Sequence, residues 1–146
     1  PRAGPRASGG GLAGREAVPW RRVCQDLLGS REACERAATR CLQEGLSVVV
    51  DRTNFSAEQR APWLDLAAAH GARCHCLVFD VLLEECCRRV ACRGEHEGGL
   101  QGGGGRQAVA KLHQLLEPVG VEEAFARVRV LRPPEDGRGE LAAYGG

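Results

Sequence analysis

A run of β-branched residues without polar alternation, Val48-Val49-Val50, is the feature that most constrains the fold of this chain. Such a run, ending here at Asp51, is typical of a strand buried on both faces, as in parallel sheets that are covered by helices. We therefore predict a central strand at 46–50. The 146 residues are 43% hydrophobic, which is enough for one core of ordinary size.

On both sides of this run, short apolar stretches alternate with longer amphipathic ones. The further elements predicted are strands at 20–24, 74–79 and 126–131, and helices at 30–44, 56–71, 82–92 and 106–117. Gly45 directly follows the first helix and is placed to end it. The alternation predicts an α/β fold in which helices sandwich a parallel sheet.

Three segments lack these patterns. Residues 1–17 are rich in Gly, Ala, Pro and Arg without periodicity, and we predict that they are disordered. Residues 94–105 end in four consecutive glycines and are predicted to form a mobile loop. We expect one folded domain at 18–132 and a flexible tail or linker at 133–146.

Charge and cysteine usage limit the classes of partner. The formal net charge is +1, so any polyanion site must be local. No stretch approaches the roughly 18 apolar residues of a membrane span, and we predict no membrane association and a nuclear or cytoplasmic location. The eight cysteines include no CxxC pair, and Cys74-His75-Cys76 has no matching second half. We therefore predict reduced thiols and no structural zinc.

Acidic residues follow three of the predicted strands, namely Asp26, Asp51 and Asp80. In open α/β sheets ligands bind beyond the carboxyl ends of the strands, so we expect these carboxylates to converge on one rim. A hydrophobic strand that ends in Asp, as at Asp51, resembles a Walker B strand, whose carboxylate organises Mg²⁺ near nucleotide phosphates. Each residue taken alone is more often a turn or helix-cap residue.

Arginines on two predicted helices are candidates for binding phosphate. Arg60 lies in the helix after Asp51, and its guanidinium is suited to pairing a phosphate with two hydrogen bonds. Arg89 and Arg93 are four residues apart and share a helix face that leads into the glycine-rich segment. This placement suits a lid over a transferring phosphate, but a solvated basic face explains the spacing equally well.

Three sequence blocks resemble a known family. The P-loop kinase domain of aprataxin-like plant and fungal proteins resembles this chain at Val23–Asp26, at Val48–Asn54 with Gln59-Arg60, and at Gly94–Gly103, which reads GEHEGGLQGG. More distantly, the stretch Asp51 to Arg60, which reads Asp-x-Thr-Asn-x5-Arg after a hydrophobic run, is similar to the kinase domain of polynucleotide kinase-phosphatase. The resemblance covers residues 18 to 131. It implies a P-loop NTPase-like fold, the cofactors ATP and Mg²⁺, and phosphorylation of nucleic-acid 5′-hydroxyl ends in DNA repair, with DNA repair proteins as further partners.

The resemblance also implies roles for individual residues. Asp26 corresponds to the general base that takes the proton of the attacking 5′-hydroxyl. The other roles implied are an indirect Mg²⁺ contact by Asp51, nucleotide contacts by Thr53, Asn54, Arg89 and Arg93, and substrate contacts by Gln25 and Arg60.

The chain departs from this family upstream of Trp20. A Walker A loop, GxxxxGK[ST], holds nucleotide phosphates with backbone N–H groups and a lysine, whereas the one lysine here is Lys111. We therefore expect the first strand and the Walker A loop to be missing, and this fragment to be nearly inactive. Two other functions stay open: a degenerate kinase fold that binds nucleic acid or a repair partner without catalysis, and a P-loop kinase for a small metabolite.

Overall fold

The computed structural model describes residues 18–92 and 102–132 of the chain. Its elements in chain order are β1 (Trp20–Cys24), α1 (Gln25–Leu28), α2 (Arg31–Gln43), β2 (Ser47–Asp51), α3 (Ala57–Ala69), β3 (His75–Phe79), α4 (Leu83–Cys92), α5 (Gly102–Leu115) and β4 (Arg127–Leu131). The predicted α/β alternation is confirmed. The segments predicted at 1–17 and 133–146 lie outside the described residues. No helix in the described ranges is long and apolar enough to cross a membrane.

The four strands form two parallel pairs. Strand β1 pairs with β2, so that Cys24 lies opposite Asp51, and β3 pairs with β4. In the described part of the chain each strand therefore has one neighbour. The prediction that 46–50 is a central strand buried on both faces is wrong there, since β2 has one neighbouring strand. The core packs against Val48 and Val50, whereas Val49 is 46% exposed.

A small core joins α2 and α3 to the β1–β2 pair. It is built from Val23, Cys34, Ala38 and Trp63, all of which are buried. Helix α2 begins after Ser30, whose hydroxyl accepts a hydrogen bond from the backbone N–H of Ala33, as expected of a helix cap. Each fully buried aliphatic or aromatic side chain contributes about 1.5–3 kcal/mol. This packing fixes the orientation of the two strand ends at which the candidate site lies.

Helix α5 begins inside the four-glycine run. The prediction that residues 102–105 belong to a mobile loop is wrong, since α5 starts at Gly102. Each helical glycine costs about 1 kcal/mol relative to alanine, so local propensity alone does not explain this start. Helix α5 packs along α4, and Gly105 is buried. Tertiary packing therefore stabilises a helix that the local sequence disfavours.

None of the eight cysteines, all of which lie in the described ranges, forms a disulfide, and the reduced state of the thiols stays a prediction. Cys24 and Cys34 are buried, whereas most of the others are partly exposed. Burial raises the pKa of Cys34, Cys74 and Cys76, which favours the protonated thiol. In residues 18–92 and 102–132, no three His, Cys, Asp or Glu side chains are grouped so that they could hold a metal ion.

Candidate functional site

Polar residues gather where β1 and β2 end. Because the two strands are parallel and Cys24 lies opposite Asp51, the residues that follow both strands meet at one end of the pair. The residues of this site, which we call the β1–β2 rim, are Gln25, Asp26, Asp51, Arg52, Thr53 and Asn54. The structure thus brings together six residues from two segments that are more than twenty positions apart in the sequence.

Asp26 lies in a short helix that the sequence did not predict. Helix α1 follows β1 directly and ends at Gly29, which has a φ of 82° and donates its N–H to the carbonyl oxygen of Gln25. The turn places Asp26 in an exposed position beside the half-buried Gln25. An exposed carboxylate at a strand end is accessible to an incoming hydroxyl group, as a general base must be.

Asp51 forms an ion pair across the strand pair. Its Oδ2 accepts hydrogen bonds from Nε and Nη2 of Arg22, each at 2.7 Å. Both side chains are 50% exposed, so the pair contributes at most about 1 kcal/mol and is readily rearranged. Sequence reasoning missed Arg22, because only the register of β1 and β2 brings it to Asp51.

Arg52 links the two sides of the rim and was also missed. Its Nε donates to Oε1 of Gln25, and its Nη1 donates to Oδ1 of Asn54 at 3.3 Å. The guanidinium lies 5.9 Å from the ring centroid of Trp63, within the range of a cation–π contact. The one available signal was its position directly after Asp51.

Asn54 is tied into the protein on several sides. Its φ of 40° is in the left-handed region, which asparagine tolerates better than most residues. Its Oδ1 accepts from Nε1 of Trp63 at 3.1 Å and from Arg52, while its backbone carbonyl accepts from Arg60. The predicted nucleotide contacts of Asn54 and of the exposed Thr53 remain predictions.

The predicted substrate contact of Arg60 is not compatible with its surroundings. Arg60 is 4% exposed, and its Nε and Nη2 donate to the two carboxylate oxygens of Glu123, both at 2.8 Å. The other N–H groups donate to the backbone carbonyl oxygens of Asn54, Glu117 and Pro118. Since all five donors of the guanidinium are occupied, none is left for a phosphate. Arg60 is a structural residue, and its hydrogen bonds lower the pKa of Glu123.

The predicted lid arginines are only partly described. Arg93 lies outside the described residues, and Arg89 donates to Glu85 at 2.6 Å. Glu85 also accepts from Arg88, and the two guanidiniums, that of Arg88 most strongly, lower its pKa to about 2. Within the described ranges, no hydrogen bond or ion pair joins Arg89 to the β1–β2 rim. The role of Arg89 in gripping ATP stays a prediction.

The third predicted carboxylate, Asp80, belongs to the other strand pair. It follows β3, and its Oδ2 accepts from Nε of Arg132 at 2.8 Å. The expected convergence of three carboxylates therefore holds for the ends of β1 and β2, where Asp26 and Asp51 lie. It is not observed for Asp80, because β3 and β2 do not pair in the described residues.

Residues 20–119 match a family model described as an AAA domain, and the match spans both sides of the rim and continues through α5. The chain belongs to this AAA domain family. The AAA domain is 36% identical over 115 residues to the transcription factor bHLH140 of Arabidopsis thaliana, an alignment that covers 75% of this chain and 12% of that protein. It is 42% identical over 48 residues to the bifunctional polynucleotide phosphatase/kinase of Schizosaccharomyces pombe, covering 33% of this chain.

The AAA domain thus spans a small part of these relatives, since each alignment covers 12% of the relative's length. The family match and the parallel strands flanked by helices agree on a P-loop kinase-like fold. The Schizosaccharomyces pombe relative adds a partial similarity to a protein named as a bifunctional polynucleotide phosphatase/kinase.

Proposed function

We propose that this AAA domain carries the acceptor side of an ATP-dependent polynucleotide 5′-hydroxyl kinase that acts in DNA end repair. The observation that carries the proposal is the parallel register of β1 and β2, which sets Asp26 next to the strand end of Asp51. The partial similarity to the Schizosaccharomyces pombe phosphatase/kinase supports the same acceptor chemistry. ATP is the phosphoryl donor, and Mg²⁺ accompanies it.

The proposed reaction assigns one role to each carboxylate. Asp26 accepts the proton of the 5′-hydroxyl while the oxygen forms a bond to the γ-phosphorus of ATP, and the bond from that phosphorus to the β-phosphate oxygen breaks to release ADP. Asp51 would contact Mg²⁺ indirectly, through the water shell of the ion, since Mg²⁺ keeps several of its waters in such sites. When bound, Mg²⁺ supplies positive charge for the phosphate oxygens.

The nucleotide phosphates require a Walker A loop, a motif that this sequence does not contain. We propose that a further strand carrying this loop pairs with β2 and β3 in the intact kinase. In the described residues these strands each have a free edge, and a single helix, α3, connects them. Val49, Leu77 and Phe79 expose 38–64% of their surface, which an added strand and its flanking helix would cover.

The name of the Arabidopsis relative favours a second candidate. That protein is described as a transcription factor, so a domain that binds nucleic acid without catalysis is the alternative to the kinase. A nuclear location suits both candidates.

Transfer of labelled phosphate distinguishes these functions. A version of the domain that includes a Walker A loop is incubated with γ-labelled ATP and 5′-hydroxyl DNA or RNA oligonucleotides, beside a panel of nucleosides and sugars. We expect label at the 5′ ends of the oligonucleotides. The chain without the loop is expected to give no label and no tight Mg-ATP binding by calorimetry.

Labelling of a nucleoside or sugar in place of the oligonucleotides would instead assign a metabolite kinase. Binding of both ATP and oligonucleotide without any transfer would assign the non-catalytic module.

A further inference from the structure

Arg52 differs from the other arginines of the described ranges because it is partly buried and yet forms no ion pair with a described carboxylate. Only Arg52 and Arg60 among them are shielded from solvent to a substantial degree, and Arg60 has Glu123 as its counter-charge. Among the described residues, no carboxylate forms an ion pair with Arg52. A partly buried guanidinium that no described carboxylate neutralises is a favourable place for an anion from outside the chain.

Neutral groups hold the Arg52 side chain in place. Gln25 and Asn54 accept one hydrogen bond each through their side-chain carbonyl oxygens, and Trp63 presents its ring to the guanidinium. Trp63 is itself buried and fixed by its hydrogen bond to Asn54. The guanidinium has five N–H groups, so three have no partner in the part of the chain that the structure describes. Arg52 is therefore preorganised to bind an anion through two parallel hydrogen bonds.

The position of this site indicates which anion it receives. Gln25, the partner of Arg52, directly precedes Asp26, the proposed base. The guanidinium thus lies on the side of the β1–β2 rim where the proposed base meets the 5′-hydroxyl group of the nucleic acid. The next anionic group of a nucleic acid after its 5′-hydroxyl is the phosphodiester on the 3′ side of the same nucleotide.

We propose that Arg52 binds this first phosphodiester of the acceptor strand and thereby selects a nucleic acid over a free nucleoside. This inference rests on the proposed kinase function, because it takes Asp26 as the residue that faces the 5′-hydroxyl. Arg52 acts by binding and orienting the acceptor, and it takes no part in the proton transfer.

The test measures how the present chain binds a short 5′-hydroxyl oligonucleotide labelled at its 3′ end, by fluorescence anisotropy over a series of salt concentrations. Arg52→Gln is expected to weaken binding about tenfold and to reduce the slope of log K against log salt by about 0.7, the value for one phosphate contact on a single strand. Arg36→Gln removes an exposed arginine of α2 and serves as the matched control, with an expected change of less than about twofold.

Two further measurements keep the test decisive. Arg52→Lys keeps the positive charge but loses the planar guanidinium that binds an anion with two parallel hydrogen bonds, so an affinity for the oligonucleotide between that of the wild type and that of a variant without the charge is expected. This variant carries the test if Arg52→Gln unfolds the domain. Side-chain NMR of the wild-type chain follows the Arg52 Nε–H signal during titration with inorganic phosphate, and a saturable shift is expected.

The outcomes separate this inference from the proposed function. Equal effects of Arg52→Gln and Arg36→Gln on oligonucleotide binding would overturn the inference and leave the kinase proposal standing. A phosphate-dependent shift of Arg52 in a chain that does not bind the oligonucleotide would support an anion site but count against a nucleic-acid acceptor. If the wild-type chain binds neither the oligonucleotide nor phosphate, both proposals fail.

Discussion

Replacement of Asp26 by Asn is expected to lower phosphoryl transfer to a 5′-hydroxyl oligonucleotide by about 10²–10⁴-fold, the contribution of a positioned general base. The amide has nearly the shape of the carboxylate but does not accept the proton of the hydroxyl. Asp26 is exposed, and α1 needs no hydrogen bond from its side chain at the helix cap. The domain should therefore stay folded and keep its affinity for Mg-ATP. Single-turnover rates and calorimetry on a version with a Walker A loop measure the two effects separately.

Asp65→Asn, at an exposed position on α3, is the matched control and should leave the rate unchanged. Unchanged turnover in Asp26→Asn would remove Asp26 from the mechanism. A loss of Mg-ATP affinity that parallels the loss of rate would place Asp26 on the nucleotide instead of the acceptor.

Replacement of Glu123 by Gln is expected to lower the free energy of unfolding by about 3–5 kcal/mol, the usual effect of removing one partner of a buried ion pair. The side chains of Arg60 and Glu123 are only 5% and 7% exposed, so the Arg60 charge would remain buried without compensation. The glutamine amide also places an NH2 donor against either Nε–H of Arg60 or N–H of Gly120, both of which donate to Glu123 at 2.8 Å. Urea denaturation followed by circular dichroism measures the difference.

Glu122→Gln provides the control, since Glu122 is an exposed neighbour and its substitution should change stability by less than about 0.5 kcal/mol. Equal stabilities of the two variants would show that the Arg60–Glu123 pair does not hold α3 to the segment after α5.

The Glu123 pair also predicts how stability depends on pH. Hydrogen bonds from Arg60 lower the pKa of Glu123 in the folded state, so its contribution is fully present above the unfolded pKa of about 4.3. It is lost as the pH falls through the lower pKa of the folded state. Glu123→Gln should therefore show a smaller loss of stability on acidification than the wild type, and an identical acid dependence would contradict the assignment.

The sequence predicted those elements in which local patterns and tertiary packing agree. Helix α2 illustrates this, because its apolar periodicity and Gly45 after its end both appear in the structure, which adds a cap at Ser30. The start of helix α5 is predicted at Arg106 but lies at Gly102, because packing against α4 outweighs the low helix propensity of the four glycines. Strand β2 was read correctly as a strand, but its neighbours are set by pairing over long sequence distances, which a local pattern does not encode.

For the site, the sequence identified the carboxylates but not the roles of the arginines. The adjacency of Asp26 and Asp51 follows from a general rule about parallel strands, so it could be predicted. Whether Arg60 is free to bind an anion depends on Glu123, which lies 63 residues after Arg60. Such a tertiary pair leaves no signal in the local spacing of Arg60.

The central claim is that the carboxyl end of the β1–β2 pair receives the 5′ end of a nucleic acid. Backbone amide NMR of the present chain during titration with a 5′-hydroxyl oligonucleotide tests it most directly. The account predicts saturable shifts in residues 24–28 and 51–54, and smaller shifts when the 5′ end already carries a phosphate. Shifts confined to α4, α5 or the β3–β4 pair would contradict it.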